Sequence, residues 1–260
     1  SEIKANRPMK QISEIAIVDD GIGMDETTLK TSLQFGNGTK LKTRKGIGRF
    51  GIGLPNASIS QCKHIDIYSW RKSKCLFTYL DIEETKKSDK QDINDIVEKD
   101  LPEHISKEIK KSESGTVVLW SDCDRIHIAR GETLYRRMSR DLCRIFRHFL
   151  DDDNMYGNKV NMIYKVVDGN FEHALVPNDP LYLMKPNNLP GHENEAVFEL
   201  KSDNNSPREG KIELAFINPI TNKPDKSDVF FKFSFVKDKI WRKYTNKVSP
   251  FQTHLKRNAG

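Results

Sequence analysis

The sequence predicts an α/β protein: a domain of mixed strands and helices over about residues 1–150, then a smaller β-rich domain over about 151–260. Three observations carry this. The run Ile15 to Val18 is short, apolar and largely β-branched, as a buried strand requires, and a helical pattern follows it. Asp151 to Asp153 then ends the longest helical pattern in the chain. Beyond it, strand-like stretches alternate with Pro, Asn and Gly turns.

The elements follow in order. Residues 1–14 are polar with one proline and read as a loop. After the strand at Ile15, Asp25 is placed to cap a helix over about Glu26 to Phe35, with Leu29 and Leu33 on one face. Gly36 to Gly48 is rich in Gly, Thr, Lys and Arg, which suits a mobile loop. A second helix starts near Gly53, with Pro55 in its first turn, where a missing N–H costs nothing. His64 to Trp70 and Cys75 to Ile82 alternate apolar and polar residues and predict two antiparallel strands joined at Arg71 to Lys74. Residues 84–114 form a charged insertion with one or two surface helices, and Gly115 to Trp120 is another buried strand.

Ile128 to Leu150 predicts one long helix, with Leu134, Met138, Leu142, Ile145 and Phe149 on its apolar stripe. Arg136, Arg137, Arg140, Arg144 and Arg147 crowd the remaining surface. A solvated face and a nucleic-acid face both stay open there. In the second domain Val160 to Val167, Ala196 to Leu200, Lys211 to Ile217 and Val229 to Val236 read as strands.

Composition narrows the class. At 260 residues, 36% hydrophobic and 31% charged, the chain can bury a sizeable core. A net charge of +6 admits a polyanion such as DNA as partner without requiring one. The four cysteines form no C-x-x-C pair and have no histidine at metal-ligand spacing, so ordinary reduced thiols and a cytoplasmic location are expected. No apolar run approaches 18 residues, so no membrane span is expected.

The chemistry concentrates between Ile15 and Ala57. Asp19 ends a strand, where it can accept a hydrogen bond from an amine on a ligand. Gly21 and Gly23 let a flat group lie against the backbone, and Met24 offers an apolar wall; together they suit a purine. A second cluster, Gly46, Gly48, Gly51 and Gly53, lets backbone N–H groups converge on an anion beside a helix start. Lys40, Lys45 and Arg49 add positive charge. No G-x-x-x-x-G-K-[ST] is present, which excludes a P-loop. Gly46-x-Gly48-x-x-Gly51 matches a dinucleotide fingerprint but follows a loop rather than a strand.

These residues resemble the GHKL superfamily of gyrase, heat-shock chaperone, histidine kinase and MutL ATPases. Asp19-Asp20-Gly21-Ile22-Gly23-Met24 is similar to its D-x-G-x-G box. Gly48-Arg49-Phe50-Gly51-Ile52-Gly53-Leu54 is similar to the glycine box closing its ATP lid, and Gly115-Thr116 to its late G-T strand. Phe35 to Lys40 and the lid box look most like the MORC-like or chaperone-like branch. The resemblance covers roughly residues 10–150, with a weaker likeness to a transducer domain beyond, around Val176 to Leu181.

The resemblance implies a Bergerat fold, an α+β two-layer sandwich with helices on one face of a mixed sheet. It implies ATP and Mg²⁺ as cofactors, with Asp19 on the adenine amine, Thr116 supporting it through water, and Gly21 and Gly23 lining the base. Gly48 to Gly53 would wrap the triphosphate, and Lys40 would reach a phosphate. ATP would drive homodimerisation of a larger MORC- or MutL-like protein. Two alternatives stay open: a histidine-kinase-type catalytic domain, and a nucleic-acid module with a non-hydrolysing nucleotide site. The family's E-x-x-x-N box, which supplies the general base and a Mg²⁺ ligand, has no match; only Glu2 and Asn6 precede Asp19, beside Pro8. That box is expected upstream of Ser1, and the chain is expected to be a piece of a longer one.

Overall fold

The structure is a computed structural model and describes residues 11–36, 51–87, 94–109, 112–152, 157, 159–179, 184 and 209–232. These fall into two compact units, drawn from 1–135 with 166–171 and from 136–165 with 172–260. The first unit is a mixed α/β structure. Its strands are β1 (Glu14–Asp19), β2 (His64–Arg71), β3 (Lys74–Asp81), β4 (Val97–Glu98) and β5 (Ser114–Ser121). They form one sheet in the order β1-β5-β2-β3-β4. The resemblance implies a mixed sheet, whereas every pairing here is antiparallel.

Helix α1 (Glu26–Ser32) begins where expected, because the Asp25 side chain accepts the Thr28 N–H at 2.8 Å. It stops earlier than expected: Leu33 already serves as its C-cap, and Gly36 turns the chain at φ +80. Leu29 and Leu33 are both buried. Helix α2 (Gly53–Ile59) starts at the predicted glycine with Pro55 buried in its first turn. Ser58 fastens it to β5 by accepting the Trp120 Nε1–H at 2.9 Å. The β2–β3 hairpin turns through Lys72 and Ser73, with Lys72 in left-handed backbone at φ 57.

One face of the sheet packs Ile65, Ile67, Leu76, Val118 and Trp120 against Leu29, Leu33 and Leu54 of the helices. The other packs Tyr68, Phe77, Val117 and Leu119 against Leu101, Ile105 and Ile109. The charged insertion therefore covers a face of the sheet: α3 (Ile82–Lys87) has no buried residue, but α4 (Glu103–Ser106) buries Ile105. Strand β1 corrects a second expectation. Ile17 and Val18 are 48% and 43% exposed, because β1 pairs only with β5 among the described residues and lies at the sheet edge.

The predicted long helix is two. Helix α5 (Gly131–Ile145) and α6 (Arg147–Leu150) are broken at Phe146. Ile145 is 51% exposed, and Cys143, off the expected stripe, is the buried residue of α5. Buried Asn178 explains this, since its N–H and Nδ2 donate to Cys143 O and Arg140 O, both at 3.1 Å. Strands β6 (Ile163–Val166) and β7 (Phe171–Ala174) pair across Asn170, at φ 48. Strands β8 (Glu209–Ile217) and β9 (Pro224–Lys232) form an antiparallel hairpin. The Ala196 to Leu200 strand lies outside the described residues.

All four cysteines are free, and all but Cys75 are buried. Burial pushes the Cys62 thiol up to about 12 and Cys123 to about 11, so both stay protonated and inert. Among the described residues no helix is long and apolar enough to cross a membrane.

Candidate functional site

The registers of three strands build one polar row. Asp19 on β1 lies opposite Thr116 on β5, and Thr116 lies opposite Ser69 on β2. By strand alternation these side chains share the face that carries α1 and α2, at one end of the apolar rows formed by Ile17, Val118 and Ile67 and by Ile15, Trp120 and Ile65. Ser69 is fully buried and Thr116 nearly so, whereas Asp19 is exposed. Ser69 Oγ lies 3.3 Å from Thr116 Oγ1 and 3.2 Å from Gly115 O. Asp19 Oδ1 accepts the Gly21 N–H at 2.9 Å, and among the described residues Oδ2 accepts no hydrogen bond.

The loop from Gly21 to Met24 is tied to the sheet at every residue. Ser114 Oγ donates to Gly21 O at 2.7 Å. Arg71 donates from Nε to Ile22 O at 3.1 Å and from Nη2 to Gly23 O at 2.9 Å. The Met24 N–H donates to Ser69 Oγ at 2.7 Å. Two glycines permit this fit. Gly23 has φ +66, and a Cβ there would meet Trp70 O at 2.4 Å. A Cβ on Gly115 would meet Asp19 O at 2.4 Å and the Trp70 ring at 2.5 Å. Asp25, next in the chain, has its carboxyl held below the usual range first by the Thr28 backbone N–H, with Arg71 assisting.

The sequence-predicted residues therefore divide. Asp19, Gly21, Gly23 and Thr116 come together. Met24 joins them through its backbone, and its half-buried side chain packs against the hydrophobic core. Gly51, Ile52 and Gly53 lead into α2, with Ile52 as an N-cap lacking a side-chain hydrogen bond. Lys40, Gly46, Gly48, Arg49 and Phe50 lie outside the described residues, as do Lys45, Glu2 and Asn6. Among the described residues no group of three His, Cys, Asp or Glu side chains could hold a metal ion.

Sequence reasoning missed Ser69, Arg71 and Ser114. Ser69 did leave a signal. In HIDIYSW the inward positions are Ile65, Ile67 and then a serine, a polar break in an otherwise apolar face. Arg71 and Ser114 left none, because each acts on backbone carbonyls distant in sequence.

Residues 2–116 match the family model described as histidine kinase-, DNA gyrase B-, and HSP90-like ATPase. That stretch spans the glycine loop, both N-terminal helices and β5 as far as Thr116. No curated protein matches the chain. Among solved structures, the B-subunit of DNA gyrase from Myxococcus xanthus is similar at 10% identity over 63% of this chain and 41% of that one, with a TM-score of 0.39. The 43K ATPase domain of Thermus thermophilus gyrase B, in complex with an aminocoumarin, is similar at 10% identity over 65% of this chain and 38% of that one, with a TM-score of 0.36. The aligned part of this chain thus spans about two fifths of the length of each gyrase chain.

Proposed function

We propose that the Asp19–Thr116–Ser69 row is the adenine end of an ATP site, in an ATPase domain of the kind that the matched family model describes. The observation that carries this is the Asp19 carboxylate. One of its oxygens is spent on Gly21, and the other is open beside a buried hydroxyl pair. An adenine amine would donate to Oδ2. Thr116 Oγ1 would hold a water against the same ring, and the backbone from Gly21 to Gly23 would bound the base. Lys40 and Gly46 to Gly53 would close over the phosphates as a lid. ATP with Mg²⁺ would supply the phosphoryl chemistry, and this chain assigns neither the general base nor a metal ligand. The finer reading is a nucleotide-gated dimerisation switch within a larger MORC- or MutL-like protein, in which ATP orders the lid.

Asp19→Asn tests the site sharply. A carboxylate accepts from both the Gly21 N–H and the adenine amine, whereas an amide offers one acceptor and turns an NH₂ towards the other donor. Calorimetry should show ATP affinity falling about a hundredfold, the scale of one charged hydrogen bond lost with its partner left unpaired. Unchanged affinity would remove the site. Sedimentation with a non-hydrolysable ATP analogue tests the switch; a mass that stays monomeric would remove it.

A further inference from the structure

We propose that Arg71 is a positioning residue for the nucleotide, fixing the Gly21–Gly23 backbone that bounds the base; the inference rests on the ATP reading of the Asp19 row. Arg71 is the last residue of β2. Its Nε and Nη2 take two consecutive carbonyls, Ile22 O and Gly23 O, and Nη1 lies 3.7 Å from Asp25 Oδ2. Every arm of the guanidinium is thus directed at the protein. A planar fork with divergent N–H groups can do this, and a lysine ammonium cannot span the same three acceptors.

The loop needs the clamp where Arg71 supplies it. Ser114 holds its start at Gly21 O, and Ser69 holds its end at the Met24 N–H. Between them lie Ile22, 84% exposed, and Gly23, at φ +66. Neither residue belongs to a strand or helix that could orient its carbonyl. Without Arg71 the two middle peptides lose their side-chain anchor and the surface facing the base is no longer set. Arg71 therefore acts on affinity through the loop and not through the phosphates.

That distinction is measurable with adenosine and ATP as separate probes on the whole chain. Arg71→Ala should weaken both by the same factor, about tenfold, as expected for two partly exposed charge-assisted hydrogen bonds. Arg71→Lys should recover only part of the loss, and the Gly23 and Met24 amides should exchange faster with solvent in both variants. The proposal is overturned if adenosine affinity is unchanged, if only ATP affinity falls, or if lysine restores wild-type binding, since each assigns the effect to charge near the phosphates. Asp19→Asn belongs in the same series. Where Asp19→Asn weakens binding of both probes and Arg71→Ala leaves it unchanged, the positioning role alone falls; where Asp19→Asn binds both probes normally, the ATP reading falls and takes the positioning role with it.

Discussion

Two polar clusters occupy opposite faces and opposite ends of the same sheet, and their valences are spent differently. In one, His64 donates from both ring nitrogens, Nδ1 to Asp81 at 3.0 Å and Nε2 to Asp66 at 3.0 Å. Its ring stacks on Tyr79 at 5.5 Å. The hydrogen bond to Asp66, joined by that to Asp81 and opposed by burial, raises the imidazole to about 9. Asp81 is further consumed by the Glu83 and Glu84 N–H groups at the start of α3. In the other cluster Asp19 keeps an oxygen that no described residue fills. Residue types alone would favour the histidine with two carboxylates as the chemical centre. What separates them is compensation: the Asp66 and Asp81 carboxylates close on the imidazolium between them, whereas among the described residues Asp19 meets only a backbone N–H and can hold something else.

The largest expected effect strikes the open cluster. Gly23→Ala forces a side chain into left-handed backbone and against Trp70 O, and should cost about 3 kcal/mol in denaturant unfolding together with nucleotide binding. A variant that keeps wild-type stability would show that the loop is looser than its hydrogen bonds imply. The closed cluster should respond to pH instead. His64 is raised in the folded state, so its contribution is complete below the unfolded value of about 6.5 and is lost as pH climbs through about 9. Discounted for partial exposure, the loss is on the order of 2 kcal/mol. His64→Gln should flatten that alkaline limb, and a limb that survives the substitution would place the titration elsewhere.

Asp81 works in the opposite sense. Its carboxyl is held below the usual value first by the Glu84 N–H and then by His64, so its contribution is present above about 3.8 and fades in acid. Asp81→Asn should therefore weaken the acid limb of the stability curve, and an unchanged limb would free Asp81 of that role. The smallest effect lies in the β2–β3 turn, at the open cluster's end of the sheet. Lys72→Gly should stabilise by about 0.5 kcal/mol, since glycine adopts φ 57 without strain. Destabilisation there would mean that the Lys72 side chain contributes more than its left-handed backbone costs.

Local features were legible in the sequence. The Asp25 cap, Pro55 at the start of α2, the β2–β3 alternation and Asp19 with its glycines each announce themselves within a few residues. Long-range partnership was not. The apolar run in β5 predicts a buried strand but cannot say that it lies between β1 and β2, and hence that Thr116 joins Asp19 to Ser69. The exposure of Ile17 and Val18 has the same origin, because an apolar run does not announce that it lies at an edge. The break at Phe146 escaped because the helical period runs through it unchanged, while the covering Asn178 comes from a segment more than thirty residues later.

The place of β5 in the sheet also sets the order in which the molecule can be assembled. The β2–β3 hairpin closes a two-residue turn and can form early, but among the described residues β1 has no strand neighbour until residues 114–121 arrive to lie beside it. Closing that loop joins positions about a hundred residues apart, an entropic cost that local contacts do not repay. On a chain emerging from the ribosome, the aspartate and its glycines would precede the strand that sets them in one row with Thr116 and Ser69. The Asp19–Thr116–Ser69 row is thus assembled in one late step, together with the completed sheet.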